Sequence, residues 1–291
     1  GIETEVGTPV SKGMYIVKVD IAEGANYSAV EGLLVGNYEI TAKAPTIEDL
    51  SYDLTSKEYN GEAQGLTITA KPGIVGLGNI TVKYNGSTEL PTDTGVYTIT
   101  VDIETGANYD SATNMSIGTY EITKKAVTVI ADNKTSVYGE ELKPLTITIP
   151  EGTLVGNDEE KDLAVTLVKE DGTVVGNYKI TGTSTSANYE VTVTPGNYEI
   201  TKKAVTVIAD NKTSVYGEEL KPLTITIPEG TLVGNDEEKD LSITLVKEDG
   251  TVVGNYDITG TSTSANYQVT VTPGNYEITK KAVTVIADNK T

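Results

Sequence analysis

The chain has 291 residues, of which 42 are acidic and 22 basic, giving a formal charge of −20, and 37 % are hydrophobic. It holds no Cys, His, Trp or Phe; every basic residue is Lys and all 17 aromatics are Tyr. Without thiolate or imidazole, Cys/His and Ser/His/Asp catalysis and the common zinc sets are closed, and an acidic chain with no guanidinium fork is repelled by phosphate backbones, which removes nucleic acid as a partner.

Val, Ile, Thr and Tyr dominate the ordered-looking stretches, while 29 Gly and 10 Pro sit between them. That is the chemistry of many short strands joined by turns. No stretch reaches the apolar length that crosses a bilayer, so no membrane insertion is expected in these residues, and a signal and an anchor are expected outside them. The absence of Cys fits the cytosol and also many exposed bacterial surface repeats, so it does not choose a compartment.

Taken in order, residues 1–41 read as the C-terminal part of a module whose front is missing, because Gly13–Thr41 aligns without a gap to Gly95–Thr123. Half a sandwich cannot close a core, so this piece is expected to be poorly packed, to pair with something else, or to be completed by an early strand over Ile2–Val10. Residues 42–123 form a first whole module, entered at Ala44-Pro45. Strands are expected at Leu66–Ala70, Ile80–Tyr84, Tyr97–Ile103 and Thr119–Thr123, between turns such as Asn60-Gly61, Pro72-Gly73 and Asn85-Gly86. Asp93, Gly95 and Tyr97 have the D-x-G-x-Y spacing of a corner in which a tyrosine hydroxyl bonds back to the backbone upstream.

Residues 124–201 and 202–279 are near-identical copies with a period of 78, from Lys124 to Lys202; a further copy starts at Lys280. They differ only at Ala164/Ser242, Val165/Ile243, Lys179/Asp257 and Glu190/Gln268. Such identity argues against a division of labour: a spacer gains length and a binder gains valency by copying, whereas an enzyme gains little. Strands are expected over Ala126–Asp132, Leu145–Pro150, Leu163–Lys169 and Gly176–Gly182, and Tyr189–Thr194 with Asn197–Thr201 should form a hairpin across Pro195-Gly196. Asp158–Asp162 reads as one helical turn or as a loop.

The stretch Gly196–Val207 recurs letter for letter at Gly274–Val285 and with one change, Thr119 for Asn, at Gly118–Val129, and its first half stands at Gly36–Thr41. Its apolar residues fall on even numbers before the lysine pair (Tyr198, Ile200) and on odd numbers after it (Val205, Val207). Strand side chains alternate faces, so the inward face changes at Lys202-Lys203, where one core is left and another entered. Replacing both lysines by Gly is expected to loosen the angle between modules and leave each module's melting nearly unchanged.

At Val137-Tyr-Gly139, Leu154-Val-Gly156, Ala187-Asn-Tyr189 and Gly196–Ile200 the chain resembles the MBG (mostly-β, glycine-rich) repeats of large bacterial surface and adhesin-like proteins. Residues 42–123 resemble a related immunoglobulin-like repeat through Tyr59-Asn-Gly61, Val82–Gly86, Asp93-Thr-Gly95 and Asn108-Tyr109. The resemblance implies an exposed location at the bacterial cell surface and no catalysis, and it carries over no catalytic residue.

Three constellations have a functional reading beside a bland one. Asn157–Glu160 with Asp162, repeated at Asn235–Asp240, offers oxygen ligands to calcium but lacks EF-hand spacing, and otherwise reads as a solvated charge run. Exposed tyrosines could stack on sugars, although as the sole aromatic type most must serve in cores and corners. A Lys–Asn isopeptide link would need both residues buried beside an acid. No catalytic, cofactor-binding or metal-ligating residue is assigned, and no cofactor. The expected fold is all-β: tandem immunoglobulin-like sandwiches in an elongated, monomeric rod, on the order of 120 to 150 Å at sandwich dimensions. The alternative for the 78-residue repeats is a small β-rich mixed fold with one short helix. The expected function is a stalk that projects a distal domain; its alternative is a multivalent module for a surface glycan or host protein.

Overall fold

The computed structural model describes residues 8–287 and is all-β, with three short 3₁₀ turns and no α-helix among the described residues. No helix there is long and apolar enough to cross a membrane. The chain forms two compact units. Of the described residues, one takes those up to Val127 with Glu151–Ala164 and Thr185–Glu190; the other takes Thr128–Pro150, Val165–Ser184 and those from Val191 on.

The repeat at 202–279 lies wholly in the second unit and shows the architecture best. Two sheets share its strands. In one, Lys203–Ala209 sits between Ile225–Thr226, antiparallel, and Tyr267–Thr272, parallel. In the other the order is Lys212–Val215, Gly274–Thr279, Gly254–Ser262, Ile243–Lys247; the first pair is parallel and the rest antiparallel. The parallel pairs join the start of the repeat to its end, which long-range pairing allows and a meander of hairpins would not.

The expected hairpin across Pro195-Gly196 is therefore corrected. In the second copy Tyr267–Thr272 and Gly274–Thr279 belong to different sheets. Only Pro273 separates them, and reversing a strand takes a loop of at least two residues. With one residue the chain can only step across to the facing sheet, and Pro, which offers no N–H, breaks the ladder at that step.

Other strands shift less. Ile80–Tyr84 forms as expected, whereas Leu66–Ala70 shrinks to Thr69–Ala70, Leu145–Pro150 to Ile147–Thr148, and the last strand of the first module lengthens to Ala112–Thr123. Lys134–Val137, unmarked by clear alternation, is a strand because it pairs in parallel with Tyr198–Thr201. The helical turn in the acidic segment is a 3₁₀ turn over Glu160–Leu163, repeated at Glu238–Leu241, and each is closed by a capping box.

The change of parity at the lysine pair is present. Gly196–Thr201 and Lys203–Ala209 are separate strands broken only at Lys202. Before the break Tyr198 and Ile200 are buried in a core with Ala131 and Ile180; after it Val205 and Val207 are buried with Leu241 and Tyr267. Each such side chain contributes about 1.5–3 kcal/mol by leaving water, so the register is set from both sides. The lysine itself is no free hinge. Lys202 Nζ donates to the Ser264 carbonyl at 2.6 Å, as Lys124 Nζ does to that of Ser186. A Gly-Gly replacement at 202–203 would thus also remove a tertiary contact of the repeat that follows.

In the first unit, the module at 42–123 has a sheet ordered Lys57–Glu58, Ala112–Thr123, Gly95–Ile103, Ile80–Tyr84, with Ile99, Val101, Ile103, Tyr120 and Ile122 buried. The corner expected at Asp93–Tyr97 forms: Tyr97 Oη donates to the Asp93 carbonyl at 2.8 Å. The same i to i−4 bond recurs at Tyr15, Tyr178 and Tyr256. Among the described residues Gly13–Ile21 and Val30–Ile40 form a two-stranded sheet, and Met14, Ile16, Leu34, Val35 and Tyr38 are more than half exposed. The apolar side chains of this ribbon are therefore open to solvent among the described residues. The early strand proposed over Ile2–Val10 lies mostly outside the described residues, and Thr8–Val10 is not a strand.

One substitution between module types leaves a trace in the core. In the second unit Tyr198 Oη lies 2.6 Å from Ser136 Oγ and accepts the Lys143 N–H at 2.6 Å. The pairing register places Lys57 in the first module where Ser136 stands in the repeat, and the fully buried Tyr120 hydroxyl has no hydrogen-bond partner among the described residues. Tyr120→Phe is expected to be neutral or to stabilise by about 1 kcal/mol, whereas Tyr198→Phe should cost about 1 kcal/mol or more. Urea unfolding of the two variants checks the difference in sign.

Candidate functional site

The residues that meet where one repeat gives way to the next form the most built polar arrangement in the chain. In the first unit the strand Lys57–Glu58 runs into Tyr59, whose N–H donates to the Thr123 carbonyl at 2.9 Å and so aims the ring out of its own module. The receiving side has two parts. A tight turn, closed by the Asp158 N–H on the Val155 carbonyl at 3.1 Å, presents the Asp158 carboxylate ahead of the 3₁₀ turn. Tyr189 opens the strand Tyr189–Thr194 beside it.

Both phenols donate to the same carboxylate oxygen: Tyr59 Oη to Asp158 Oδ2 at 2.9 Å and Tyr189 Oη at 2.6 Å. Their rings stand edge to face, with centroids 5.5 Å apart at 80°, the geometry aromatic quadrupoles prefer. The Val155 N–H donates to Tyr189 Oη at 3.1 Å. Around this centre Asn188 Oδ1 accepts the Thr94 N–H at 3.0 Å, its Nδ2 donates to Asp93 at 3.0 Å, and Lys125 faces Glu58 at 3.4 Å. Burial, and then the hydrogen bond to Asp158, push the Tyr59 and Tyr189 phenols up to about 12. A phenolate there would be desolvated and would face a carboxylate, so the neutral, donating form is held.

The second unit repeats the arrangement one period on. Tyr138 Oη and Tyr267 Oη donate to Asp236 Oδ2 at 3.0 and 2.6 Å, the rings are 5.5 Å apart at 89°, and the Val233 N–H reaches Tyr267 Oη at 2.8 Å. Asn266 Oδ1 takes the Val175 N–H at 3.2 Å. Burial and Asp236 push the Tyr267 phenol up to about 12 and raise that of Tyr138. Tyr138 also packs against the cores on both sides of the joint. The joint is thus a plug, a tyrosine followed by a glycine turn, seated in a socket of one Asp, one Tyr and one backbone N–H.

The glycine after the plug tyrosine matters for closeness. Gly139 has φ +82°, and a Cβ there would overlap the Val233 side chain of the socket. Gly217, its equivalent one period later, has the same φ of +82° but nothing within 4 Å. Alanine at either position bears the left-handed backbone cost of about 1–2 kcal/mol. Only Gly139→Ala should also wedge the joint open, so it is expected to lower stability by about 1 kcal/mol more than Gly217→Ala. Thermal unfolding of the two variants measures this.

Asp158 is used by the two phenols, Asp162 Oδ2 accepts the Glu159 N–H at 2.8 Å, and Glu159 pairs with Lys161 at 2.9 Å. Among the described residues no group of three or more acidic side chains is placed to hold a metal ion. The buried polar residues described are Asp49, Gln64 and four serines, with no Lys or Asn, so the burial an isopeptide link needs is lacking there. Most tyrosines serve in cores and joints; Tyr27, Tyr38, Tyr52 and Tyr216 are the exposed ones described. The joint itself was not read from the sequence, although its parts were. Val137-Tyr-Gly139, Leu154-Val-Gly156 and Ala187-Asn-Tyr189, the segments that carried the family resemblance, are the plug and the socket walls. Their partnerships span 98 and 99 residues, which no local pattern reveals.

A family model described as MBG domain (YGX type) matches residues 127–199 and 205–277, and one described as MBG domain matches residues 46–126. No curated protein matches the chain. Among solved structures, the Bacteroides ovatus mixed-linkage glucan utilization locus SGBP-B, in complex with a mixed-linkage heptasaccharide, aligns at 11 % identity over 95 % of this chain and 72 % of that one, with a TM-score of 0.18. Sidekick-1 immunoglobulin domains 1–4 align at 11 % identity over 82 % of this chain and 73 % of theirs, with a TM-score of 0.17. Neither likeness carries a functional argument.

Proposed function

Because the chain belongs to the MBG-domain family, built here from tandem repeats, we propose that it is a stalk: a run of non-catalytic spacer repeats that projects another domain outward from a bacterial cell surface. The observation that carries this reading is the joint. Both sequence copies spend the same Asp, Tyr and Asn side chains on the preceding module, at Asp158, Tyr189 and Asn188 and again at Asp236, Tyr267 and Asn266. These side chains are taken up in fixing a neighbour, and near-identical copies add length without a division of labour, which favours a spacer.

The test has two arms. The full chain on glycan and host-protein arrays should give no saturable binding; binding that strengthens with the number of repeats would replace the stalk by a multivalent adhesion module. In a surface-displayed fusion, deletion of Lys202–Thr279 joins Thr201 to Lys280 and restores the natural boundary sequence. It should lower a terminal fluorescent tag toward the cell by one repeat. An unchanged tag height would overturn the stalk reading.

A further inference from the structure

Among the described residues, the plug at Tyr216 and Gly217 has no socket on it. Tyr216 and Gly217 stand where Tyr138 and Gly139 stand one period earlier, and the Tyr216 N–H holds the same strand-end bond, to the Thr279 carbonyl at 2.9 Å. Yet Tyr216 is 49 % exposed, against 6 % for Tyr59 in its socket, and its hydroxyl has no hydrogen-bond partner among the described residues. Beside it the segment Lys280–Ala287 repeats Lys202–Ala209 letter for letter. Val283 and Val285, the counterparts of core residues Val205 and Val207, are 85 % and 87 % exposed.

We propose that this face, centred on Tyr216 and Gly217, is a docking surface for a further repeat. The occupant is defined by chemistry: a Leu-Val-Gly-Asn-Asp turn that offers a carboxylate to the Tyr216 hydroxyl, with an Ala-Asn-Tyr segment whose ring meets Tyr216 edge to face. The chain shows that surface filled twice by those residues, at Leu154–Asp158 with Ala187–Tyr189 and at Leu232–Asp236 with Ala265–Tyr267. It also shows that the socket accepts more than one plug. Tyr59-Asn-Gly61, from the unlike first module, and Tyr138-Gly139, from a like repeat, both seat on an Asp–Tyr pair with ring separations of 5.5 Å. What the two plugs share is a tyrosine and a close-following glycine turn. The inference rests on this geometry and holds whether or not the chain serves as a stalk.

The test extends the full chain after Thr291 with a copy of residues 214–279, which completes a third repeat. In the unextended chain Tyr216→Phe should be silent in urea unfolding. In the extended chain it should lower the midpoint as Tyr138→Phe does in either chain, and amide relaxation should show the added repeat tumbling with its neighbour. A silent Tyr216→Phe in the extended chain overturns the proposal, as does an added repeat that stays unfolded or tumbles freely. Self-association of the unextended chain in sedimentation, lost in Tyr216→Ala, would name a second copy as occupant and overturn it too.

Discussion

Asp236→Ala is expected to lower the unfolding free energy of the second unit by about 3 kcal/mol, because the carboxylate is the acceptor for two phenols at once. Hydrogen bonds to a charged group are worth about 1.5–3 kcal/mol each, and removing the acceptor also orphans the donors. Tyr267 is only 2 % exposed, so water cannot reach its hydroxyl without opening the joint. Asp236→Asn keeps an oxygen but not the charge and should lose about half as much. Asp158→Ala should act on the first unit in the same way, since its carboxylate makes the same pair of bonds. The measurement is urea unfolding followed by tyrosine fluorescence; a loss under about 0.5 kcal/mol, the size of an ordinary surface substitution, would mean that ring packing alone holds the joint.

Stability should fall between about pH 10 and pH 12, and the joint tyrosines should contribute to the fall. A free tyrosine loses its proton near 10, whereas Tyr59, Tyr189 and Tyr267 are held up to about 12. In that window the unfolded chain has released protons that the folded chain still binds, so stability declines as pH rises. The contribution is fully present below about pH 10 and gone once pH passes through about 12, on the order of 2 kcal/mol per phenol. Acid works on other groups. Asp132 and Asp210 are held below the usual carboxylate range, first by hydroxyl donation from Thr146 and Thr224 respectively, and their contribution is lost only as pH falls through those lowered values. The alkaline limb is tested by comparing the wild type with Asp236→Ala at pH 8 and pH 11.5. The variant should show the smaller further loss, because the burial and the carboxylate that raise the phenols have been weakened together.

The contrast between Tyr120 and Tyr198 shows why equal sequence motifs need not have equal energetics. Both stand in a Gly-x-Tyr-Glu-Ile-Thr strand and both are fully buried. Only Tyr198 finds Ser136 across a parallel pair. The difference is fixed by a residue more than sixty positions away, so it is invisible in the strand itself.

Repetition and strand parity were legible in the residues alone. The 78-residue period needs only comparison of the chain with itself, and the alternation of Tyr198 and Ile200 against Val205 and Val207 fixes which face is inward, since a strand's side chains have period two whatever surrounds them. The Asp93–Tyr97 corner was legible for the same reason: donor and acceptor are four residues apart and meet by local geometry. Partnerships between distant segments were not. The parallel pairing of each repeat's first strands with its last, the step between sheets at Pro195 and Pro273, and the anchoring of Lys202 on Ser264 all depend on which segments lie side by side. The joint belongs with these. Tyr59, Tyr138, Asp158 and Asp236 look like turn and surface residues in sequence because a phenol and a carboxylate gain from burial only when each meets its partner, and that meeting occurs only in the folded chain.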